Sequence, residues 1–513
     1  MYDMDFFKRP LASVRTYEPP HGDSSLQVPL EASLADRLGH IRDRFDKSMD
    51  LVIHEISVCG ISCAVLMCEG LVSTGTFSEI LARPLTALTM ESPTPEKIHE
   101  WVLSDSLMAP DQKEIKTYFE LYRFMMSGFV ILFIDGVPGG DAFGLQGFPG
   151  RSVGEPEGET NMRGSREGFN ELLRPNLAMI RRRFKTPDLI FEMITFGEKS
   201  LTDGALVYCR GTVSPALLAR IRRRLSKVKL DVALETGYLS PFLEKGFSLF
   251  SSIGYTERPD TLCAKVAEGR VALLLDGTPF ALIMPYLFNE HFQSGDDYSH
   301  RPYFATFIRW MKMLAFGFSA LLPGIYVAIG TFHPELLPDI LLSKLIESDQ
   351  STPFSLMPEA LLVFFLYEIM REAGLRMPKP VSHAVSIVGA LVIGDAAVTA
   401  SIIGAPMVLV VALTAISSFV VPTLYEPVTI LRFAFILLGG LTGLYGVLLG
   451  LCAVLINLLA VDSLGIPAAA PCAPFSLYVL RDTLFRWSWR TLARKDLRVA
   501  GLNGSDMAPK RGR

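Results

Sequence analysis

Residues 357–422 form an apolar stretch longer than the core of a soluble protein requires of a helix. Its second half, residues 384–421, is apolar or small almost throughout and contains one carboxylate, Asp395. A helix that crosses a bilayer needs about 20 apolar residues, so this stretch supplies more than one candidate span. The sequence therefore predicts a helical membrane domain with several crossings in this part of the chain.

Three charged residues lie close together in the first half of this stretch: Glu368, Arg371 and Glu372. Glu368 and Glu372 are four residues apart, so they share one face of a helix. Charged side chains among membrane helices face a protein interior or a water-filled path. Two interpretations stay open. Arg371 forms a structural ion pair with one of the glutamates, or Glu368, Glu372 and Asp395 line a path for cations.

Composition separates a soluble part of the chain from a membrane part. The chain has 513 residues, of which 50% are apolar and 20% charged, and its mean hydropathy is +0.32. Residues 1–300 have an ordinary globular mixture, and residues 301–460 carry the apolar excess. The net charge of −4 gives no reason to expect nucleic acid as a partner. Residues 1–20 lack the apolar run of a secretory signal, so we expect the N-terminal part to stay in the cytoplasm.

The periodicity of apolar residues predicts a mixed fold: an N-terminal cytoplasmic α/β (α+β) region of two small subdomains, followed by an all-α polytopic membrane domain. The expected divisions are an N-terminal extension (1–48), a first α/β subdomain (49–145), a second α/β subdomain (146–290), a transmembrane domain (291–475) and a basic cytoplasmic tail (476–513). Strands are expected at 51–58, 61–68, 129–134, 189–196, 205–209, 271–275 and 280–284, and helices at 30–47, 165–184 and 214–228.

Five segments are candidate membrane spans: 313–332, 359–374, 384–403, 405–421 and 430–461. Aromatic and basic residues before the first candidate, and the basic tail, place both ends in the cytoplasm. The number of crossings must then be even, so either 359–374 does not cross or 430–461 is not a single crossing. As one helix the last candidate would measure about 48 Å, against a hydrocarbon core of about 30 Å. It must tilt steeply, overhang the bilayer or break.

The sequence contains no constellation typical of an enzyme. It has no P-loop, G-x-S-x-G, H-E-x-x-H or dinucleotide-binding pattern, and its eight histidines lack ligand spacing. The only cysteine cluster, Cys59, Cys63 and Cys68, lies in a strand-like run, where thiols usually behave as small buried apolar groups. We therefore expect no catalytic residues, no metal site and no cofactor.

Several separated motifs carry a resemblance to a known family. They are E-x-x-R-E-A-G-L-R-M-P-x-P from Glu368, S-I-V-G-A-L-V-I-G-x-A-A-V from Ser386, V-V-A-L-T-A-I-S-S-F-V-x-P from Val410, E-P-x-x-E-x-x-x-R-G-S-R-E-G-F from Glu155, Y-T-E-R-P-D from Tyr255 and D-G-T-P-F from Asp276. In their order along the chain, these motifs resemble those of the A subunits of GerA-type bacterial spore germination proteins. The chain departs from the family pattern at Asp395, where the family has a neutral Gln, and at residues 248–254, where the family has a Pro-rich segment.

The resemblance implies a function in the inner membrane of dormant spores. Similar proteins act with a transporter-like B-type subunit and a lipoprotein C-type subunit as a nutrient germinant receptor. The A subunit is expected to form an oligomeric ring that opens a cation path, and the nutrient site belongs mainly to the other membrane subunit. The family also includes a branch similar to stage V sporulation protein AF, an accessory protein that supports ion release. Both a channel or receptor subunit and a scaffold stay open.

The Gly- and Pro-rich residues 136–165 are either a flexible linker or an ordered loop. The motif that begins at Glu155, part of the resemblance, contains an ordered pattern of Arg and Glu residues in this region. That pattern favours an ordered loop. A guanidinium binds a carboxylate with two parallel hydrogen bonds. We therefore expect a structural clamp made by Glu155, Arg163, Arg166 and Glu167, in preference to a ligand site made by the same residues.

Overall fold

The computed structural model describes residues 26–31, 33–104, 111–147, 154–156, 158–244, 248–377, 394–476, 479–492 and 498–507. The chain forms two compact units. The first unit extends to Val153 and takes in Phe169–Thr195 and Asp203–Arg210. The second unit contains Gly154–Gly168, Phe196–Thr202 and the chain from Gly211 onward.

A five-stranded antiparallel sheet organises the first unit. Its strands are β1 (Leu51–Val58), β2 (Ile61–Cys68), β3 (Gln112–Ile115), β4 (Phe129–Ile134) and β5 (Gly140–Gly144), and they lie in the order β1-β2-β4-β5-β3. The helices are α1 (Leu34–Phe45), α2 (Thr74–Phe77), α3 (Arg83–Ala87), α4 (Pro95–Ser104) and α5 (Tyr118–Met125). Strand β4 is buried along its whole length because apolar clusters cover both faces of the sheet. The predicted hairpin of β1 and β2 is confirmed, with Val58 paired to Ile61.

A second five-stranded sheet follows with the same order of strands. Its strands are β6 (Leu189–Phe196), β7 (Thr202–Cys209), β8 (Gly254–Thr256), β9 (Val271–Leu275) and β10 (Ala281–Met284), in the order β6-β7-β9-β10-β8. The helices are α6 (Leu173–Arg183), α7 (Pro215–Leu225), α8 (Ser240–Leu243), α9 (Pro259–Ala267) and α10 (Asp296–Ser299). In both sheets the third strand in chain order lies at an edge and pairs with the fifth strand. The α/β part of the predicted fold class is therefore confirmed.

Two sequence expectations in this region were wrong in detail. The helix expected at 165–184 begins only at Leu173, because the backbone N–H of Asn170 donates to Asn176 Oδ1 at 2.9 Å and holds the preceding segment in a non-helical form. Strand β5 lies inside the Gly- and Pro-rich stretch that composition assigns to a loop. A Cβ atom at Gly140 would lie 2.5 Å from the ring of Phe133, so glycine is required for the close contact between β4 and β5.

The membrane part is helical, as expected. Its helices are α11 (Pro302–Phe332), α12 (Asp339–Ser351), α13 (Leu356–Arg376), α14 (Gly394–Thr399), α15 (Ala405–Phe419) and α16 (Tyr425–Ala460). Among the described residues, α11 and the segment Pro422–Ala460 are long and apolar enough to cross a membrane. A third span is possible if α12 and α13, which are bent by 78° at their junction, count as one. Helix α15 is shorter, and most of the candidate span 384–403 lies outside the described residues.

The long apolar run near the end of the chain is broken rather than continuous. Within α16, Gly443 has φ 65° and ψ −153°, which are not helical values. Positive φ is readily adopted by glycine and rarely by other residues. The structure thus has a kink within the candidate span 430–461. From its length alone, this segment could tilt, overhang the bilayer or break.

Helices α11 and α16 pack through a pair of glycines. A Cβ atom at Gly439 would lie 2.3 Å from the carbonyl oxygen of Gly324, and one at Gly324 would lie 2.5 Å from the carbonyl oxygen of Phe435. Small residues allow helix backbones to approach this closely in membranes. Gly439 belongs to the G-x3-G pattern that ends at Gly443.

This close approach predicts different effects for two glycines of α11. Gly324→Ala should lower the free energy of unfolding by about 1–3 kcal/mol, because the methyl group forces the two helices apart. Gly317→Ala is the matched control, since a Cβ atom there has nothing within 4 Å. Thermal unfolding of the purified protein in detergent measures both. Equal stability of the two variants would contradict the proposed backbone contact.

Candidate functional site

Glu368 lies in a polar cluster that joins three membrane helices. Its Oε1 accepts a hydrogen bond from Arg432 Nη1 at 3.0 Å, and its Oε2 accepts one from Arg371 Nε at 3.3 Å. The hydroxyl of Tyr425 also donates to Oε2. Arg432 Nε donates to the carbonyl oxygen of Ser319 at 3.1 Å. The cluster therefore links α11, through Ser319, with α13 and α16.

Aromatic rings surround the two guanidinium groups of this cluster. Arg371 Cζ lies 3.5 Å from the ring centroid of Tyr425, and Arg432 Cζ lies 5.2 Å from that of Phe364. Arg432 is completely buried, with 0% of its side chain exposed. A ring face attracts a cation, and more strongly where water is excluded. The carboxylate and the rings together compensate for charges that would otherwise be costly in an apolar domain.

Sequence reasoning found Glu368 and Arg371 but missed Arg432. The signal that could have located it is a single basic residue, Arg432, at the start of an otherwise apolar run. Such a residue needs a partner within the membrane domain, and Glu368 is the carboxylate that the fold brings to it.

The other two predicted carboxylates do not join this cluster. Glu372 has 52% of its side chain exposed, and its Oε1 accepts hydrogen bonds from Arg376 at 2.9 and 2.6 Å. Asp395 is exposed in the first turn of α14. Neither residue shares a hydrogen bond with Glu368 in the described part of the chain. Of the three predicted carboxylates, Glu368 is therefore enclosed, whereas Glu372 and Asp395 face outward.

A fourth carboxylate, Glu359, was not singled out by its sequence context. It is only 1% exposed, and its Oε1 accepts a hydrogen bond from the backbone N–H of Gly404 at 2.7 Å. Gly404 is the residue that precedes the first turn of α15. A carboxylate at this position satisfies a free N–H group and interacts favourably with the helix dipole. Glu359 thus fastens the N-terminus of α15 to α13.

In the α/β part of the chain, the structure places the four residues of the predicted clamp as follows. Arg166 Nη1 donates to Glu155 Oε1 at 3.3 Å, with 71% and 66% of the two side chains exposed. The backbone N–H of Arg163 donates to Asp296 Oδ1 at 3.0 Å, and that of Glu167 donates to Ser165 Oγ at 3.3 Å. An exposed pair such as Glu155 and Arg166 contributes at most about 1 kcal/mol.

The loop is held instead by Arg258 of the T-E-R-P-D motif. This buried guanidinium donates to the carbonyl oxygen of Glu159 at 3.1 Å and to that of Ser165 at 2.9 Å. It also donates to Asp260 Oδ2 at 2.8 Å. The first two bonds fix the start and the end of the loop segment 159–165, and the third orients the guanidinium. Sequence reasoning named the motif without finding that it binds this loop.

Glu159 strengthens the same contact from the side of the loop. Its Oε2 accepts hydrogen bonds from the hydroxyl of Thr256 at 2.6 Å and from the backbone N–H of Glu257 at 3.0 Å. Burial raises the pKa of Glu159, because the ionised carboxylate loses water, while these two hydrogen bonds oppose that increase. The motif that begins at Glu155 and the T-E-R-P-D motif therefore form one structural unit.

The basic tail contacts the beginning of α11. Arg309 Nη1 donates to the backbone carbonyl oxygen of Asp482 at 2.7 Å, and Arg309 Nε donates to Asp297 Oδ2 at 2.7 Å. Trp310 Nε1 donates to the carbonyl oxygen of Leu484 at 3.0 Å. Residues 482–484 thus lie along the first turns of this membrane helix.

Comparison with known proteins places these motifs in a family. A profile of the Bacillus/Clostridium GerA spore germination proteins matches residues 39–497. The chain belongs to the GerA spore germination protein family. The resemblance inferred from its motifs is thereby confirmed.

The chain is similar to other members of the GerA family over most of their length. The chain is 38% identical over 470 residues to spore germination protein KA of Bacillus subtilis (strain 168), a match that covers 90% of this chain and 86% of that protein. It is 25% identical over 473 residues to stage V sporulation protein AF of the same organism, covering 91% and 95%. The crystal structure of the N-terminal domain of the A subunit of the Bacillus megaterium spore germinant receptor GerK3 matches with 28% identity and a TM-score of 0.40, covering 51% of this chain and 98% of that one.

The contacts of this GerA-family protein predict that Arg258, rather than the exposed Arg166, stabilises the loop. Arg258→Met should lower the free energy of unfolding by about 2–4 kcal/mol, because it leaves buried carbonyl groups without a donor. Arg166→Met should change it by less than about 0.5 kcal/mol. Denaturant unfolding and the rate of limited proteolysis at residues 154–168 measure the effect. Equal sensitivity of the two variants would show that Arg258 does not hold the loop.

Proposed function

We propose that this GerA-family protein is an A-type membrane subunit of a spore nutrient germinant receptor. We further propose that its copies assemble around a cation-conducting path whose opening triggers germination. The family membership and the similarity to spore germination protein KA support the role in germination. The helices α11 and α16, which are long and apolar enough to cross a membrane, support a location in the spore inner membrane.

The observation that carries the ion path is the outward position of two carboxylates in the helical domain. Glu372 is half-exposed and Asp395 is exposed, whereas Glu368 is enclosed by two guanidinium groups. Exposed carboxylates in an apolar domain are stable when they contact water or another subunit. Rings of such groups contributed by several copies favour cations in a channel. Glu372 and Asp395 are therefore the better candidates for the path, and Glu368 for a structural role.

The oligomer is supported by the apolar surface that one copy leaves uncovered. Helix α13 exposes Phe365, Ile369 and Leu375 near Glu372. Within a single chain, these apolar side chains of α13 have few neighbours. In the proposed oligomer, a neighbouring copy and lipid contact them. The proposed complex also contains a transporter-like B-type subunit and a lipoprotein C-type subunit.

The proposed orientation places the N-terminal region and the tail in the cytoplasm. Arg301, Trp310 and Lys312 lie in or beside the first turns of α11, and Trp487 and Arg490 lie in the tail. Trp residues collect at membrane interfaces, and basic residues are in excess on the cytoplasmic side. Because Trp310 binds the tail, both groups belong to the same side of the bilayer.

A second candidate function is an accessory scaffold similar to stage V sporulation protein AF, without a channel of its own. The observation that favours it is the contact of Glu368 with Arg432, which fastens three helices and needs no ion. The higher identity to spore germination protein KA, 38% against 25%, favours the receptor subunit. The two candidates differ in whether carboxylate substitutions change ion flow or only assembly.

Cation flux separates these candidates. In lipid vesicles containing this chain and its B- and C-type subunits, Glu372→Gln and Asp395→Asn should lower nutrient-triggered potassium flux by about threefold or more, because each removes a charge that attracts cations. Assembly, measured by size-exclusion chromatography, should remain intact. Glu368→Gln should instead lower the yield of assembled complex, because it leaves Arg432 buried without its carboxylate.

The matched control for this experiment is Glu347→Gln on α12. Glu347 is exposed and lies on α12, outside the proposed path, where it pairs with Lys344 at 3.0 Å. Its loss should alter neither flux nor assembly. A well-assembled wild-type complex that shows no flux in response to nutrient would contradict the channel and favour the scaffold. Flux that is unchanged in both outward carboxylate variants would remove Glu372 and Asp395 from the path.

A further inference from the structure

We propose that α16 is a helical hairpin that crosses the membrane twice. Residues 425–442 and 444–460 are its two legs, and the chain reverses direction at the non-helical Gly443 between them. With a rise of about 1.5 Å per residue, each leg measures about 25–27 Å. That length is close to a hydrocarbon core of about 30 Å, whereas one straight helix over Tyr425–Ala460 would measure about 54 Å.

Contacts between the two legs require this reversal. A Cβ atom at Gly450 would lie 2.6 Å from Leu438 Cδ1 and 2.9 Å from Phe435 Cε1. In a straight helix, Leu438 and Gly450 would be separated by about 18 Å along the axis, which a leucine side chain does not bridge. The second leg therefore packs back against the first, and a glycine at the contact lets the two approach closely.

Both ends of α16 converge on one region around Tyr286, which we call the base of the hairpin. Just before α16, Thr423 Oγ1 lies 3.0 Å from His291 Nδ1, and the ring of His291 lies 4.9 Å from that of Tyr286. Just after α16, Ser463 Oγ donates to the carbonyl oxygen of Ser252 at 2.9 Å. The backbone N–H of Tyr286 donates to the same oxygen at 3.0 Å. A helix that crossed the membrane once would carry its two ends to opposite sides.

The tip of the hairpin lies at the end of α11. A Cβ atom at Gly443 would lie 3.1 Å from Phe332 Cβ and 3.1 Å from His333 Nε2. Helix α11 begins about 46 Å away from this point along its axis. Near its beginning, Arg309 binds Asp297 in the segment that follows the base. The tip and the base are therefore at opposite ends of a helix that is long enough to cross the membrane.

The positions of the charged residues agree with two complete crossings. Glu426 and Asp462 mark the two ends of the hairpin at its base. Between them the sequence has one charged residue, Arg432, which is paired with Glu368. Charged groups within a membrane are paired, and unpaired ones collect where the chain leaves the apolar core.

The hairpin settles how the tail returns to the base. After α16, the backbone N–H of Phe288 donates to the carbonyl oxygen of Ala468 at 2.9 Å, so the chain stays on that side. The candidate span 430–461 is then two crossings. If the four other candidate spans cross once each, the total is six, which is the even number that both ends on one side require.

The first test measures the distance between the legs in the full-length protein in nanodiscs. Nitroxide labels are attached to Ile430→Cys and Ile456→Cys, two exposed positions at equal distance in sequence from Gly443. Packed legs should give a distance below about 25 Å, since neighbouring helix axes lie about 8–10 Å apart. A continuous helix should give about 39 Å. The matched control is Phe307→Cys with Phe332→Cys on α11, which should give about 38 Å.

Two precautions make this distance specific. Labelled protein is diluted with unlabelled protein, so that only distances within one copy are measured. The native cysteines that are not buried are replaced by serine, and thermal unfolding checks that this background folds as the native chain does. These cysteines are Cys59, Cys263, Cys452 and Cys472.

The second test asks whether the tip reaches the opposite side of the membrane. In the same background, a membrane-impermeant maleimide should label Thr442→Cys at the tip from the same side as Glu335→Cys, which follows α11. It should label Glu426→Cys and Ala460→Cys only from the side on which it labels Arg166→Cys. Intact and permeabilised cells that express the full-length chain distinguish the two sides.

Each outcome supports or overturns the double crossing. A distance near 39 Å, or labelling of Glu426→Cys and Ala460→Cys from opposite sides, would show a single span. A short distance with Thr442→Cys protected from both sides would show a hairpin that turns inside the membrane, and would also overturn the inference. A short distance with the tip labelled from the far side supports it. None of these results depends on ion conduction, so a chain without cation flux leaves the hairpin in place and contradicts only the channel.

Discussion

The hydrogen-bonded ion pair between Glu368 and Arg432 is the interaction on which the helical domain most depends. Water cannot satisfy these groups within an apolar domain, so each charge restricts where the other can lie. Arg432 also binds the carbonyl oxygen of Ser319, and Glu368 also binds Tyr425 and Arg371. Three helices thereby acquire fixed relative positions. Gly324 and Gly439 allow α11 and α16 to come close enough for these contacts.

The same physical rule explains the motif around Arg258 in the α/β part of the chain. A planar guanidinium has several donors in fixed directions, so one buried arginine orders a loop by binding its carbonyl groups. The loop 154–168 is rich in glycine and has few apolar side chains, so it cannot form a core of its own. Its order comes from Arg258 and from Glu159, which binds back to Thr256 and Glu257. Composition alone makes such a segment resemble a linker.

Within the membrane part, four carboxylates have four different environments. Glu368 is paired with arginines, and Glu359 receives the N–H of Gly404 at the start of α15. Glu372 is half-exposed beside Arg376, and Asp395 is exposed. Their chemistry follows from these surroundings rather than from residue type. Enclosed carboxylates hold helices in place, whereas outward ones are available to water, to ions or to another copy of the chain.

The sequence by itself determined the elements whose signals are local. Alternating and continuous apolar runs located β1, β2, β4, β9 and the main apolar helices, because burial of a strand or span is recorded in its own residues. Only the tertiary structure decided which charges meet. Arg432 and Glu368 are 64 residues apart, and Arg258 and Glu159 are 99 residues apart. The kink at Gly443 and the strand at Gly140 also depend on neighbours, since a glycine fits a loop, a break or a close contact equally well until the partner is present.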